Sequence, residues 1–459
     1  MQKTKKWLCI MLSLTLVMVL IVGCGDKDEN ADANKKDDEI VDQDNNDKQD
    51  DDKQDDDKKD DDNEKDVTLK TSTMFGGTDP ATEVYKKAIE DFMSENPHIK
   101  IEDESMTSEG DGYRTKVKTD FSSGNDPDVV FFYTAADAKG LIESGKVMDY
   151  ETMWSKHPDL GSAVTEASKE AMREFDGKIY ALPVTGFYEG LFVNKKMFEE
   201  NDLDLPTDWD KLENAVKKLK EKGIVPIAAP VGQSHYLIEH FVLSAAGAEG
   251  HKDVFSNGVN PDWVEGFNNM KKLYDMNAFS ADATGLEIEG AQNLFREKKA
   301  AMILEGSWFI GGCDEELQND MTVIPMTPAP NGKMDPKSII GGFSSGYYIS
   351  KKGYDDPDKQ EAIIKLVDYL LSEEMIEKMA TANGGIPAAR VSVPGLSPVA
   401  QDGHKMFAEA STLNMPIDSR LTPEAFNVIV KQGTPFIVTG KKTPEDVLEE
   451  VMKVQNPEQ

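Results

Sequence analysis

Gly342-Phe343-Ser344-Ser345-Gly346 has the G-x-S-x-G spacing that holds a nucleophilic hydroxyl on a tight turn between a strand and a helix. Here Ser344 leads instead into Tyr347, Tyr348 and Ile349, a strand-forming run, and His404 is the only downstream histidine to serve as its base. A lipoprotein esterase built on Ser344 is therefore the weaker reading. His235, Glu239 and His240 carry zinc-ligand chemistry in the order H-x-x-x-E-H, which matches neither zinc-peptidase arrangement. On a helix His235 and Glu239 share a face, while His240 lies about 140° from His235. Neither a metal site nor a cofactor is expected. The segment Gly341 to Tyr347 fails as a phosphate loop because Tyr347 stands where a Lys is needed. With 85 acidic residues, no carboxylate pair by itself marks a glycosidase. None of these residues marks a catalytic site.

Cys24 is different, because its setting implies a covalent modification. Lys3, Lys5 and Lys6 precede an apolar run from Trp7, which ends in Ile21, Val22 and Gly23. A charged start, an apolar middle and small residues at the cut form a secretory signal. A Cys directly after the cut is what a lipoprotein signal peptidase needs. Residues 1–23 are expected to be removed and Cys24 to carry lipid; the 17 residues from Trp7 to Gly23 fall short of the ~20 of a spanning helix. Cys9 leaves with the signal, so Cys313 has no disulfide partner. Residues 25–66 hold 21 acidic and 8 basic side chains and almost nothing apolar. Such a segment cannot offset its ordering entropy, and reads as a disordered linker that reaches ~35 Å as a flexible coil. The chain's formal charge of −34 argues against nucleic acid and against an anionic membrane surface as partners.

Beyond the linker, short apolar runs alternate with amphipathic stretches. Strands are predicted over 67–75, from 99, over 128–133, 191–193, 224–228 and 301–304. Helices are predicted from Asp79-Pro80, over 113–121, 135–143, 209–221, 236–246, 261–276 and 289–298. Further helices follow over 359–371, 373–382, 423–430 and 444–454. This alternation argues for parallel βαβ units in an α/β protein. Ligands collect beyond the carboxyl ends of such strands, which places Phe75 to Thr78 and Tyr133-Thr134 on a functional rim.

The segment Leu294 to Trp308 (LFREKKAAMILEGSW) resembles the signature of the family 1 extracellular solute-binding proteins, the sugar-type receptors of ABC importers. Phe121 to Phe131, Tyr180 to Lys195, Leu205 to Trp209, Gly341-Gly342 with Tyr348-Ile349, and Gly384 to Pro387 are similar to its other motifs, in the same order. Asp208 is an extra residue where the family has Pro-x-Thr-Trp. The resemblance implies a type II periplasmic-binding-protein-like fold, with two α/β lobes, a hinge and an interlobe cleft. The first lobe would be 67–183 plus 324–370, and the second 184–323 plus 371–459. Crossings are expected near Pro183 to Tyr188, Ile324 to Thr327 and Gly353 to Leu371.

Carried over by position, the resemblance makes Trp308 a stacking platform for a pyranose face, projected by Gly306. It also marks Tyr133, Asp137, Phe75, Gly77, Thr78, Tyr188, Glu189, His235, Tyr236, Gly342 and Phe343 as ligand-contact candidates. The implied function is a lipid-anchored monomer that captures a sugar, an oligosaccharide above all, and hands it to ABC permease subunits. A Gram-positive surface suits such an anchor. A receptor for a non-sugar solute, or a signalling co-receptor, is the alternative.

Overall fold

The structure, a computed structural model, describes residues 65–108, 111–253 and 255–456. The signal, Cys24 and nearly all of the linker lie outside these residues. Eleven strands form among the described residues: β1 (Val67–Ser72), β2 (Ile99–Asp103), β3 (Val129–Tyr133), β4 (Thr185–Asn194), β5 (Val225–Ala228), β6 (Ala300–Gly306), β7 (Met321–Ile324), β8 (Ser338–Gly342), β9 (Ser345–Ile349), β10 (Ile386–Pro387) and β11 (Thr412–Asn414).

β1, β2 and β3 pair in parallel, with crossover helices at Thr82–Glu95 and Gly112–Ser123. β9 closes this sheet antiparallel to β3, giving the order β2-β1-β3-β9. The first four residues of β3 (Val-Val-Phe-Phe) are all buried, as a strand covered on both faces requires. The second sheet is built around β4. β6 runs antiparallel along one stretch of it, while β8 takes positions 187–189 and β7 takes 191–194. β5 extends the sheet parallel to β6, and β11 parallel to β8.

Local signals account for many element ends. The extra Asp208 is an N-cap: its carboxylate accepts from Lys211 N at 2.9 Å and opens helix Trp209–Glu221. The helix over Tyr236–Lys252 breaks at Gly247, whose φ of 67° only glycine adopts freely. Pro435 has no N–H to offer the helix around it, and the turns just before it, Asn427–Gly433, widen into a π-helix. No helix among the described residues is long and apolar enough to cross a membrane.

Two principal cores result, and they move the expected boundaries. The first contains Leu69, Phe92, Val130 and Leu182, then Tyr347, Leu366, Ile376, Met379 and Ala389. The second contains Leu191, Leu212, Phe241, Met302, Met326, Met334, Ile340, Ile429 and Val451. Residues 326–340 thus pack with the second lobe rather than the first, and the helix Glu373–Asn383 packs with the first rather than the second. By this packing the chain crosses at Val184-Thr185, at the Phe343-Ser344 link and after Ala389. The reason is pairing. β8 completes β4, whereas β9, two residues on, completes β3.

Candidate functional site

The second-lobe wall is organised by Trp308, in the short 3-10 turn Ser307–Gly312 that follows β6. Its indole folds back onto Gly306, where any Cβ would lie 2.2 Å from the ring. The absence of that Cβ makes the seat. Phe187 and Tyr236 flank the indole, each 5.9 Å away between ring centroids. His235 continues the aromatic row, 4.7 Å from Tyr236 and 5.6 Å from Phe426. Phe187 and Phe426 are members the sequence reading missed.

Behind this row lies a set of buried acids. Glu305 is 2% exposed, receives Gln292 Nε2 at 3.0 Å, and burial pushes its carboxyl up to about 7. Glu189 faces Glu239 as a carboxyl pair; burial pushes Glu189 up to about 8 and Glu239 well above the ordinary carboxylate range. Glu239 Oε2 accepts from Ile417 N at 2.9 Å. His240, fully buried, is held neutral by desolvation, down to about 3. Burial thus favours the neutral form of these acids, in which a carboxyl can donate as well as accept a hydrogen bond.

The first-lobe wall begins at Tyr133, the last residue of β3. The Arg114 guanidinium lies 3.9 Å over its ring, a cation–π contact. Arg114 also bonds Asp137 at 2.7 Å and reaches Asp418 of the second lobe at 3.0 Å. Asp418 in turn lies 3.8 Å from His235 Nε2. One contact chain therefore runs from Tyr133 through Arg114, Asp418, His235 and Tyr236 to Trp308, crossing between lobes. Two further polar contacts cross beside it: Ala136 N to Ser419 O at 3.3 Å, and Lys431 to Asp111 at 2.7 Å. Ala135 holds a φ of 56° to make that turn, a strained conformation of the sort found at binding sites.

Tyr133, His235, Tyr236 and Trp308 are thus brought together, with Glu189 just behind them. Other candidates are placed elsewhere. Phe75 turns inward and packs at a tilt against Phe131 and Tyr85, 4.7 and 5.6 Å away between ring centroids, in the first core. Tyr188 is fully buried on the opposite side of β4 from Glu189, edge-on to His404 and over Gly403. Asp137 is engaged by Arg114 at 2.7 Å and by Lys118 at 2.6 Å, and so helps to position the guanidinium. Gly77 (φ 66°) and Thr78 are exposed on the loop after β1, beside Asp79, which burial pushes up to about 6. Gly342 pairs with Phe187, and Phe343 packs over Gly186 at the crossing. Ser344 is followed by β9 rather than by a helix, and its carbonyl, not its hydroxyl, is used, accepting from Thr134 N at 2.9 Å. The nucleophile elbow is absent.

Two α/β lobes meeting over an aromatic wall define a binding protein. The bacterial extracellular solute-binding protein family matches residues 77–377, and the chain belongs to it. The chain is 24% identical to the multiple sugar-binding protein of Streptococcus mutans, over 66% of this chain and 72% of that one. It is 26% identical to the maltooligosaccharide ABC transporter solute-binding lipoprotein of Streptococcus pneumoniae, over 61% and 64%. A solved chitin oligosaccharide binding protein shares the fold with a TM-score of 0.75 at 22% identity, covering 85% of this chain and 98% of that one. The family and these relatives are binding proteins, not enzymes.

Proposed function

We propose that this protein captures a carbohydrate, an oligosaccharide in particular, between its lobes and delivers it to an ABC importer from the outer face of the cell membrane, held there by lipid on Cys24. The observation that carries the reading is the Trp308 indole, seated on Gly306 and flanked by Phe187 and Tyr236. A pyranose presents an apolar C–H face and a rim of hydroxyls; flat aromatic faces take the first, and fixed donors and acceptors the second. Arg114, Asp418, His235 and the buried acids supply that polar set. The sugar names borne by the Streptococcus relatives support the same substrate class.

Ligand contacts from both lobes would favour the closed arrangement, so affinity and closure are one quantity. A thermal-shift screen over mono- and oligosaccharides tests the reading. A ligand at a hundred times its dissociation constant stabilises by about 2.7 kcal/mol, and Trp308→Ala should lose most of that shift while keeping the fold. A full panel without any shift removes the sugar reading. Metabolic labelling with a lipid precursor should track Cys24 and vanish in Cys24→Ser; persistent label would refute the anchor.

A further inference from the structure

We infer that Glu189, His235 and Glu239 form a site for one divalent first-row transition cation, of the zinc or manganese class, in the second-lobe wall. Glu189 comes from β4, while His235 and Glu239 stand one turn apart at the start of the helix that begins at Tyr236. One ligand atom from each lies within 4.8 Å of the other two, and His235 Nε2 is 3.7 Å from Glu239 Oε1. Bonds of 2.0–2.1 Å in a tetrahedral shell put donors roughly 3.3 Å apart, so shifts on the order of 1 Å would seat an ion.

Orientation and burial support the site. Glu189 and Glu239 are 1% and 0% exposed. Ile417 N holds Glu239 Oε2 and so fixes the carboxylate. Its other oxygen, Oε1, has no hydrogen-bond donor, and neither does Glu189 Oε2. A buried carboxylate oxygen without a donor is costly; Glu239 Oε1 lies 3.7 Å from His235 Nε2, and Glu189 Oε2 lies 3.5 Å from His240 Nε2, too long for a good hydrogen bond. One nitrogen and two oxygen ligands suit zinc or manganese rather than calcium, which takes six or more oxygens. Three protein ligands leave a coordination position open. Asp418 Oδ2, 3.8 Å from His235 Nε2, is already held by Arg114 and so stands as an outer partner. Helical spacing alone could not reveal this group, because its third member lies on a strand distant in sequence.

The competing arrangement is a proton shared between Glu189 and Glu239, which needs no metal. The test uses the whole protein, freed of metal by chelator, without saccharide, so that its outcome is separate from that of the sugar reading. Titration with zinc chloride or manganese chloride, followed by calorimetry and by melting temperature, should show one saturable equivalent and an upward shift in melting. Glu239→Gln, of equal size, and His235→Ala, at the more exposed edge, should each weaken it at least about tenfold. If the wild-type protein takes up no saturable equivalent, the shared proton is the answer and the metal site falls. If it binds but both variants bind equally well, the ions sit elsewhere, the Asp-rich linker included, and the assignment falls too.

Discussion

Replacing Gly306 by alanine isolates the seat of the indole from everything else in the wall. The backbone there (φ −96°, ψ 171°) is ordinary extended chain, so alanine adopts it without strain. The added methyl would lie 2.2, 2.3 and 2.5 Å from three atoms of the Trp308 six-membered ring. Ordinary contact begins near 3.4 Å, so the indole must retreat by roughly 1 Å, against Phe187 and Tyr236. Overpacking of this size costs about 1–3 kcal/mol of stability. A displaced platform should also weaken saccharide binding about 10- to 100-fold, or about 1.4–2.7 kcal/mol. Urea unfolding measures the first and calorimetric titration the second. The decisive comparison is a double-mutant cycle with Trp308→Ala. Once the ring is gone, Gly306→Ala should change stability by no more than about 0.5 kcal/mol. If it costs as much without the indole as with it, the steric argument is wrong and Gly306 serves the strand instead.

The pair that joins the lobes gives a second expectation. Asp418→Asn keeps the shape but removes the charge from Arg114, so saccharide affinity should fall several-fold, by about 1 kcal/mol, with the ligand-free melting temperature unchanged. Equal affinities for both proteins at low and high salt would show that the pair does not stabilise the ligand-holding arrangement. A third expectation concerns pH. Asp79 is held at about 6 instead of 3.8 by burial, while its Oδ1 accepts from Ala81 N at 2.8 Å. The folded protein binds that proton more tightly than the unfolded chain. Its contribution is therefore present below pH ~4 and lost as pH rises through about 6, by up to about 3 kcal/mol. Asp79→Asn keeps the acceptor and should flatten that interval in urea unfolding curves; superimposable pH profiles would remove the assignment.

Most strands and helices could be read from the pattern, because β3 and β6 are apolar runs and helices such as Thr82–Glu95 and Trp209–Glu221 are clearly amphipathic. The lobe crossings could not. Residues 338–349 hold two apolar stretches around a Gly- and Ser-rich middle, which reads as a turn within one sheet as readily as a passage between two. Only pairing distinguishes β8 from β9. The site was less legible for a more local reason. Tyr188 and Glu189 are neighbours on a strand and must face opposite ways, so both could not meet ligand. Phe187 and Glu189 form the facing pair, which strict use of the alternation would have shown. Phe75 lies at the correct end of β1, but position along a strand does not fix the direction of a ring. Arg114 and Asp418 are some 300 positions apart, and nothing in either segment announces the other.

The union of β3 with β9 bears on how the chain reaches its fold. Val129 must find Ile349, and Tyr133 must find Ser345, after the whole first passage through the second lobe has been made. Until then the Val-Val-Phe-Phe-Tyr strand keeps one edge without a partner. An apolar strand with an open edge is the usual seed of aggregation, and pairing across so long a loop is slow. Neither lobe is contiguous, so neither can finish as an independent unit while the polypeptide emerges. The protein should therefore assemble late and nearly all at once, and destabilising changes in β9 should lower its yield more than equally destabilising changes in β5, which pairs with β6 inside a single passage of the chain.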